Sequence, residues 1–528
     1  MRLGQLALDQ GGRPGQPARA LHRGVGFARR PSPGGRPGRR QQRGSARGRR
    51  TDPLDGIGAR RLGRRTPRRP GQEGAAVTHI LVVDGTGRGH AICDLFVRTD
   101  PTVTVYYGPG CDALAAERIV PVPEIRFDDP ATALAFLAEH PVEFVLVANI
   151  DALSAGYVDV LTAHGHRVIG PSAEAARIEA SKERGKLFCA SHGLPTARYA
   201  AFTDPGAAKA HVQQQPYACV VKTDGLTPDG DGSVVCATTA EAEAAVDAFA
   251  AAQGEGFQVV VEERLYGREI SVFALLDGAD YLLFPTALDF KRTLERDAGK
   301  NCDGMGSIAP HPQASPALLE QLRRDLVEPL VAGLKAEGLT YTGFVYIGAM
   351  LTDEGLKVIE INTRFGDSEA EAVLPGVHSD FTELCRAVLR QDLASSLLVT
   401  DGLVRCSVAL TQGCLDDTDP QAAPGWPFGA YDTGQPVLGL APFPLEQTRL
   451  FYANLRAAAD GPPVTSGGRV LHVVGTGTTL AEARAQAYRR IGSVSFPGMR
   501  FRSDIGAAFE DGSLPSGAEP AAAAQLRS

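Results

Sequence analysis

The sequence predicts a multidomain protein that joins an open parallel α/β sheet to α+β parts, and three observations support that prediction. The first is size: 528 residues, 43% of them hydrophobic, exceed what one core organises, because single cores stop growing near about 250–300 residues. The second is a series of short apolar runs, 80–83, 102–107 and 144–147, separated by helix-length segments, which is how buried parallel strands read. The third is a later change of pattern, where 259–273 reads as an apolar strand, two carboxylates, a turn at Gly267 and a second strand, with no helix between.

Residues 1–76 are of different material. They hold 19 arginines, no lysine and four acidic residues, a net of +15 that leaves −22 for the rest of a −7 chain. Without hydrophobic periodicity the stretch cannot build a core and is expected to be disordered. It reads as a translated upstream stretch with the true start near Val77; a nucleic-acid-binding arm or an Arg-rich transit peptide is the alternative.

The first strand leads into a glycine loop at 84–91 with Gly85, Gly87, Arg88 and His90. Such a loop between strand and helix turns backbone N–H groups toward an anion, although His90 reads equally as a structural imidazole. Residues 181–196 read as a helix end, a glycine cap and a strand entry. Lys222 then emerges from the apolar run 219–221; a lysine is costly to bury unpaired, so it is expected to reach a phosphate. Glycines at 230 and 232 supply the flexible loop that follows.

Further on, Lys291 and Arg292 precede a glycine-rich segment with Asn301, Gly304, Met305 and Gly306. A cation pair followed by backbone donors suits the transfer of a phosphoryl group. The most informative stretch is 357–371. Glu360 and Asn362 lie two apart on a strand and so share a face, where hard oxygen ligands suit Mg²⁺. Arg364 is a rigid fork for phosphate oxygens, Gly366 lets backbone approach a ligand, and Asp367 adds negative charge or fixes the arginine.

Other classes are excluded or unsupported. No window approaches the ~20 apolar residues of a membrane helix. The nine cysteines contain no C-x-x-C pair, so neither a zinc site nor a disulfide framework is indicated, and a reducing cytoplasm is the simple reading.

These segments together resemble the ATP-grasp ligases, and within them the glycinamide ribonucleotide synthetase family of purine biosynthesis. The resemblance runs from about Val77 to about Ala508 and includes 467–488 and 497–506. It implies an amino-terminal substrate-binding α/β domain at 77–180, an ATP-grasp domain at 181–395 with a small lid at about 195–265, a small carboxy-terminal domain at 396–510, and a disordered tail. It implies ATP and Mg²⁺ or Mn²⁺ as cofactors, small-molecule amine and carboxylate substrates, no nucleic-acid or membrane partner, and a monomer.

Residue by residue, the resemblance gives Lys291, Arg292, Arg364 and Asp367 catalytic roles, with Glu360 and Asn362 on the metal. Lys182, Lys222, Gly230 and Gly232 fall to the nucleotide, as do Glu262, Glu263 and Leu265 around adenine, with Glu263 or Glu269 on the ribose. Gly87, Arg88, His90, Asn301, Gly304, Met305 and Gly306 fall to the other substrates. The chain departs from the family where Asp231 replaces the loop lysine and Gly89 a glutamate, and in the loops 109–114 and 148–153. Three readings follow: the family's own ligase reaction, a ligase of this fold with another acceptor, or an inactive nucleotide-binding relative.

Overall fold

The computed structural model describes residues 77–510 apart from 115, 216, 228–231, 303, 414–427 and 442–446. The stretch 1–76, the tail, and the loop residues Gly230 and Asp231 therefore lie outside the described residues.

Strand β1 (Thr78–Asp84) runs into helix α1 (Gly87–Thr99). With β2 (Val103–Pro109), β3 (Ile119–Pro121), β4 (Val145–Val147) and β5 (Val168–Ile169) it forms a sheet in the order β3-β2-β1-β4-β5, parallel throughout. The three apolar runs are β1, β2 and β4; β3 and β5 are too short to leave one. The strand order reverses direction between β1 and β4, and the crevice beyond the carboxyl ends at such a point is where open α/β sheets take ligands. The loops there are 84–88 and 149–151.

Next comes an antiparallel lid sheet of β6 (Tyr199–Phe202), β7 (Cys219–Thr223), β8 (Ser233–Cys236) and β9 (Val259–Glu263), in the order β6-β9-β7-β8. The chain then makes β10 (Arg268–Leu276), β11 (Tyr281–Leu283), the short β12 (Leu288–Asp289), β13 (Arg292–Leu294), β14 (Ala298–Asn301) and β15 (Gly306–Ala309), and a long hairpin of β16 (Gly343–Thr352) and β17 (Gly355–Asn362). Strands β11-β10-β16-β17 form the central antiparallel sheet.

The carboxy-terminal part adds β18 (Val404–Gln412), β19 (Thr448–Tyr452), β20 (Leu455–Arg456), β21 (Val464–Thr465), β22 (Arg469–Gly477) and β23 (Met499–Arg500). One sheet runs β12-β15-β18-β22-β19, with β23 on β18. Two strands of the central part, β12 and β15, thus belong to the carboxy-terminal sheet.

Helix α1 is gripped at both ends by the segment after β17. At its start the Arg88 N–H donates to Asp367 Oδ1 at 2.9 Å. Near its end Arg98 donates to the carbonyls of Val377 at 2.7 Å and Leu374 at 3.0 Å. The turn just before those contacts is pinned by Phe365, which is fully buried and stacks on Phe273 with centroids 4.2 Å apart.

Candidate active site

One cleft of about 1380 Å³ runs from the lid sheet, past the central sheet, to the carboxyl ends of β1 and β4. On its central wall lies β17. Pairing with β16 slips by one residue at a bulge between Gly348 and Ala349, where Val358 and Glu360 face consecutive partners. A bulge re-aims the side chains beyond it: Val358 and Ile361 enter the core, while Ile359, Glu360 and Asn362 all line the cleft. Glu360 and Asn362 therefore share a face, as alternation requires.

Opposite Glu360 stands Lys291, whose Nζ is 3.3 Å from Glu360 Oε1 and 3.3 Å from Glu269 Oε2. The lysine charge holds the Glu360 carboxyl down to about 2, against the opposing effect of burial. Burial works against the Lys291 charge too, but the facing Glu269, Tyr346 and Glu360 outweigh it and raise its pKa. Asn362 is almost fully buried; its Nδ2 has no partner, while its Oδ1, the atom a cation would use, accepts from Arg364 Nη2 at 3.4 Å. An ionised carboxylate beside a side-chain amide oxygen held only by one long hydrogen bond is a donor set that fits a hard divalent cation.

Arg364 is held by Glu179, 3.0 Å away. The same carboxylate accepts from the backbone N–H of Thr363 at 2.6 Å and its hydroxyl at 3.0 Å. Asp367 does not fix Arg364; its partners are the Arg88 N–H and Arg469, at 2.7 Å. Burial alone would raise its pKa, yet Arg469 and Arg88 prevail and keep it ionised. Arg292 donates to the Gly299 carbonyl at 2.8 Å across the β13–β14 hairpin, where it pairs with Asn301.

At the lid end, Lys222 Nζ is 2.8 Å from Glu262 Oε1, and Lys186 Nζ is 2.8 Å from Glu262 Oε2. All three are buried. Desolvation would raise the pKa of Glu262, but the two lysines overcome it and lower the pKa. This sandwich leaves one net positive charge at the cleft wall. The Glu262 side chain is thus a partner for lysines, and the backbone N–H groups of Glu263 and Arg264 are engaged by the carbonyls of Arg198 and Ala218. Leu265 and Glu263 line the cleft, the latter paired with Arg198 at 2.8 Å. Lys182 donates to the Gly225 carbonyl at 2.7 Å, at the mouth of the lid loop, and the Gly232 carbonyl accepts from the Thr223 N–H at the other side of that loop.

At the other end, beside the carboxyl ends of β1 and β4, Arg88 lines the cleft and is held by Asp84, with Nη2 2.8 Å from Oδ2. Gly89 is enclosed: a Cβ there would come within 2.5 Å of the Tyr107 hydroxyl and 2.7 Å of Asp84 Cβ. Tyr107 in turn donates to the Thr86 carbonyl at 2.8 Å. The substituted loop 109–114 is tied to the β20 region, through Cys111 to the Leu455 carbonyl and Asp112 from the Ala457 N–H. In the loop 148–153, Asn149 caps the helix Ile150–Ser154 by accepting from Asp151 and Ala152.

Several predicted residues stand behind the wall instead of on it. His90 is buried and its Nδ1 faces the Tyr452 N–H at 2.8 Å; burial drops its pKa to about 4. Of the two sequence readings for this ring, the geometry is that of a structural imidazole joining α1 to β19. Gly87 abuts Glu371, whose Oε1 would lie 2.2 Å from an added Cβ. Met305 is core, and Gly304 and Gly306 allow close approach to Asp289 and to the Ser407 carbonyl. The sequence reading passed over Lys186, Glu179, Arg469, Asp289 and Glu369. Lys186 lies within 181–196, Glu369 within 357–371 and Arg469 within 467–488, while Asp289 stands two residues before Lys291; Glu179 left no signal, being 185 positions from the arginine it holds.

Comparison with known proteins agrees with this geometry. Phosphoribosylglycinamide synthetase models match in three pieces: the N domain over 78–179, the ATP-grasp (A) domain over 180–370 and the C domain over 420–508. The phosphoribosylamine–glycine ligase of Caldanaerobacter subterraneus subsp. tengcongensis is 35% identical over 434 residues, covering 81% of this chain and all of that one. That of Mesorhizobium japonicum is 36% identical over 433 residues, covering 81% and 97%. The crystal structure of the Thermotoga maritima phosphoribosylamine–glycine ligase superposes with a TM-score of 0.67 at 28% identity, covering 81% of this chain and all of that one. The biotin carboxylase domain of Hydrogenobacter thermophilus 2-oxoglutarate carboxylase shares the fold, with a TM-score of 0.60 at 15% identity over 83% of this chain and 96% of that one. Shared elements and shared sequence, continuous across all three domains, establish that the chain belongs to the phosphoribosylglycinamide synthetase family of ATP-grasp ligases.

Proposed function

We propose that this chain joins 5-phosphoribosylamine and glycine in purine biosynthesis, converting ATP to ADP and phosphate through a glycyl phosphate. The observation that carries the reading is the convergence of Lys291, Arg292, Arg364, Glu360 and Asn362 on one cleft wall. In the first step a glycine carboxylate oxygen bonds to the γ-phosphorus as ADP leaves. In the second the amine nitrogen bonds to the acyl carbon as phosphate leaves.

The protein's part is positioning and charge. Glu360 and Asn362 would hold Mg²⁺ or Mn²⁺, which supplies neutralisation of polyphosphate charge when bound. Lys222 faces the phosphates from the lid, and Lys186 stands behind it, sharing Glu262. Arg364, steadied by Glu179, presents its fork to phosphate oxygens. Lys291 and Arg292 offset charge that develops on the transferring group. Arg88, at the switch point of the parallel sheet, faces the acceptor. The same reading makes the protein a cytoplasmic monomer acting on small molecules; among the described residues no helix is long and apolar enough to cross a membrane.

The test uses purified protein with ATP, Mg²⁺ and freshly generated phosphoribosylamine, with and without glycine. Glycine-dependent ADP release with product of the mass of glycinamide ribonucleotide is expected. Glu360→Gln should reduce it by about 100-fold, since several kcal/mol of charge stabilisation is lost. ADP release only with a different amine or carboxylate would overturn the substrate assignment.

A further inference from the structure

The hairpin that carries Arg292 and Asn301 turns through an unusual backbone. Arg296 and Asp297, adjacent and neither of them glycine, both have left-handed φ values, 60° and 52°. Side-chain-bearing residues pay for that conformation and keep it only where their surroundings over-determine it. Here the surroundings come from a remote part of the chain. The Arg296 N–H donates to Asp504 Oδ2 at 2.7 Å, and Asp297 Oδ1 accepts from Arg502 Nη1 at 2.9 Å. Each strained residue is held by one residue of the segment after β23.

Arg502 does more than hold Asp297. The same Nη1 donates to the Arg292 carbonyl at 3.0 Å, and its guanidinium carbon lies 5.4 Å over the Phe290 ring. It thus brackets Lys291 and Arg292 from below. Its remaining nitrogens form a two-pronged pair with Asp504, 2.8 Å on each prong, a geometry that fixes direction as well as distance. Arg502 is itself held: Tyr488 donates to its carbonyl at 2.7 Å, and the residue is 2% exposed. A side chain so enclosed has no freedom to follow the hairpin, so the hairpin must follow it. Arg292, Asn301, Arg502 and Asp504 all line the same cleft.

We propose that Arg502 and Asp504 of the carboxy-terminal domain are positioning residues, clamping the 292–301 hairpin so that Arg292 meets the transferring acyl-phosphate group. The inference rests on the ligase reading above for what Arg292 does. The clamp acts on the chemical step and leaves nucleotide affinity to the lid and β17. A contact 1 Å out of place at such a step costs far more rate than binding.

The experiment uses the full chain with Asp504→Asn and Arg502→Lys. Asp504→Asn keeps the shape of the clamp and removes one charge; Arg502→Lys keeps the charge and removes the fork. Expected is a fall in kcat of about 10- to 100-fold with the KM for ATP, and equilibrium binding of a non-hydrolysable ATP analogue, within about twofold of wild type. Amide hydrogen exchange across 293–300 should rise in both variants while exchange across β16 and β17 stays as in wild type. Unchanged exchange in the hairpin, or unchanged kcat in both variants, overturns the clamp. A rise spread over all strands would mean general destabilisation and also overturns it. Should wild type release no ADP with phosphoribosylamine and glycine, the substrate assignment fails, while hydrogen exchange still decides the clamp.

Discussion

The two ends of the cleft solve the problem of buried charge differently. At the nucleotide end two lysines share one glutamate, leaving a net positive charge poised for a ligand. At the acceptor end charges are matched: Arg88 against Asp84, and Asp367 against Arg469. The first end carries an unmatched positive charge, and at the second these two ion pairs balance. This teaches which end has charge left over for a ligand and which has spent its charges on its own packing.

Three changes break or sharpen that contrast. The largest effect is expected from Glu262→Ala, which strands two buried ammonium groups; removing one side of a buried pair costs about 3–5 kcal/mol. Urea unfolding should show that loss, and a saturating ATP analogue should restore part of it, since ligand bound only to the folded state stabilises it. A loss that no polyphosphate relieves would mean the lid end is as self-contained as the other.

Gly89→Glu, which puts back the residue of the family pattern, is expected to cost about 1–3 kcal/mol as overpacking against Tyr107 and Asp84. Tyr107→Ala in the same chain should relieve it, giving a coupling of about 0.5–3 kcal/mol in a double-mutant cycle. Additive effects would show that Tyr107 does not occupy the glutamate's place.

The smallest effect is a pH slope. His90 is neutral when folded, with its pKa lowered to about 4, and the unfolded value is about 6.5. The unfolded chain therefore binds the extra proton between those values. Stability from this site is complete above about pH 6.5 and is lost as pH falls toward 4, by at most about 1.4 kcal/mol per pH unit. His90→Gln, which cannot titrate, should flatten the difference between urea midpoints at pH 6.5 and 4.5. An unchanged slope would place the pH sensitivity elsewhere.

How much of this was legible depended on distance along the chain. Glu360 and Asn362 were readable because pleating alone puts alternate residues on one face, and the apolar runs gave β1, β2 and β4. The bulge before Glu360 was not readable, since it depends on how β16 pairs. Glu179 behind Arg364, Arg469 behind Asp367 and Arg502 behind Arg292 were invisible for one reason: each joins groups brought together only by tertiary packing. His90 shows the same limit from the other side, since the sequence left its two readings equal. A histidine in a glycine loop looks like a ligand contact, and nothing local says that β19 covers it.

Helix α1, held at its first turn by Asp367 and near its last by the carbonyls of Leu374 and Val377, has a mechanical consequence. A rod fastened at two points to one body cannot swing relative to it, so the amino-terminal sheet and the metal-side wall form a fixed jaw. Any opening that admits a nucleotide then falls to the sheet β6-β9-β7-β8, which joins the rest of the chain through the segments at 196–199 and 263–268.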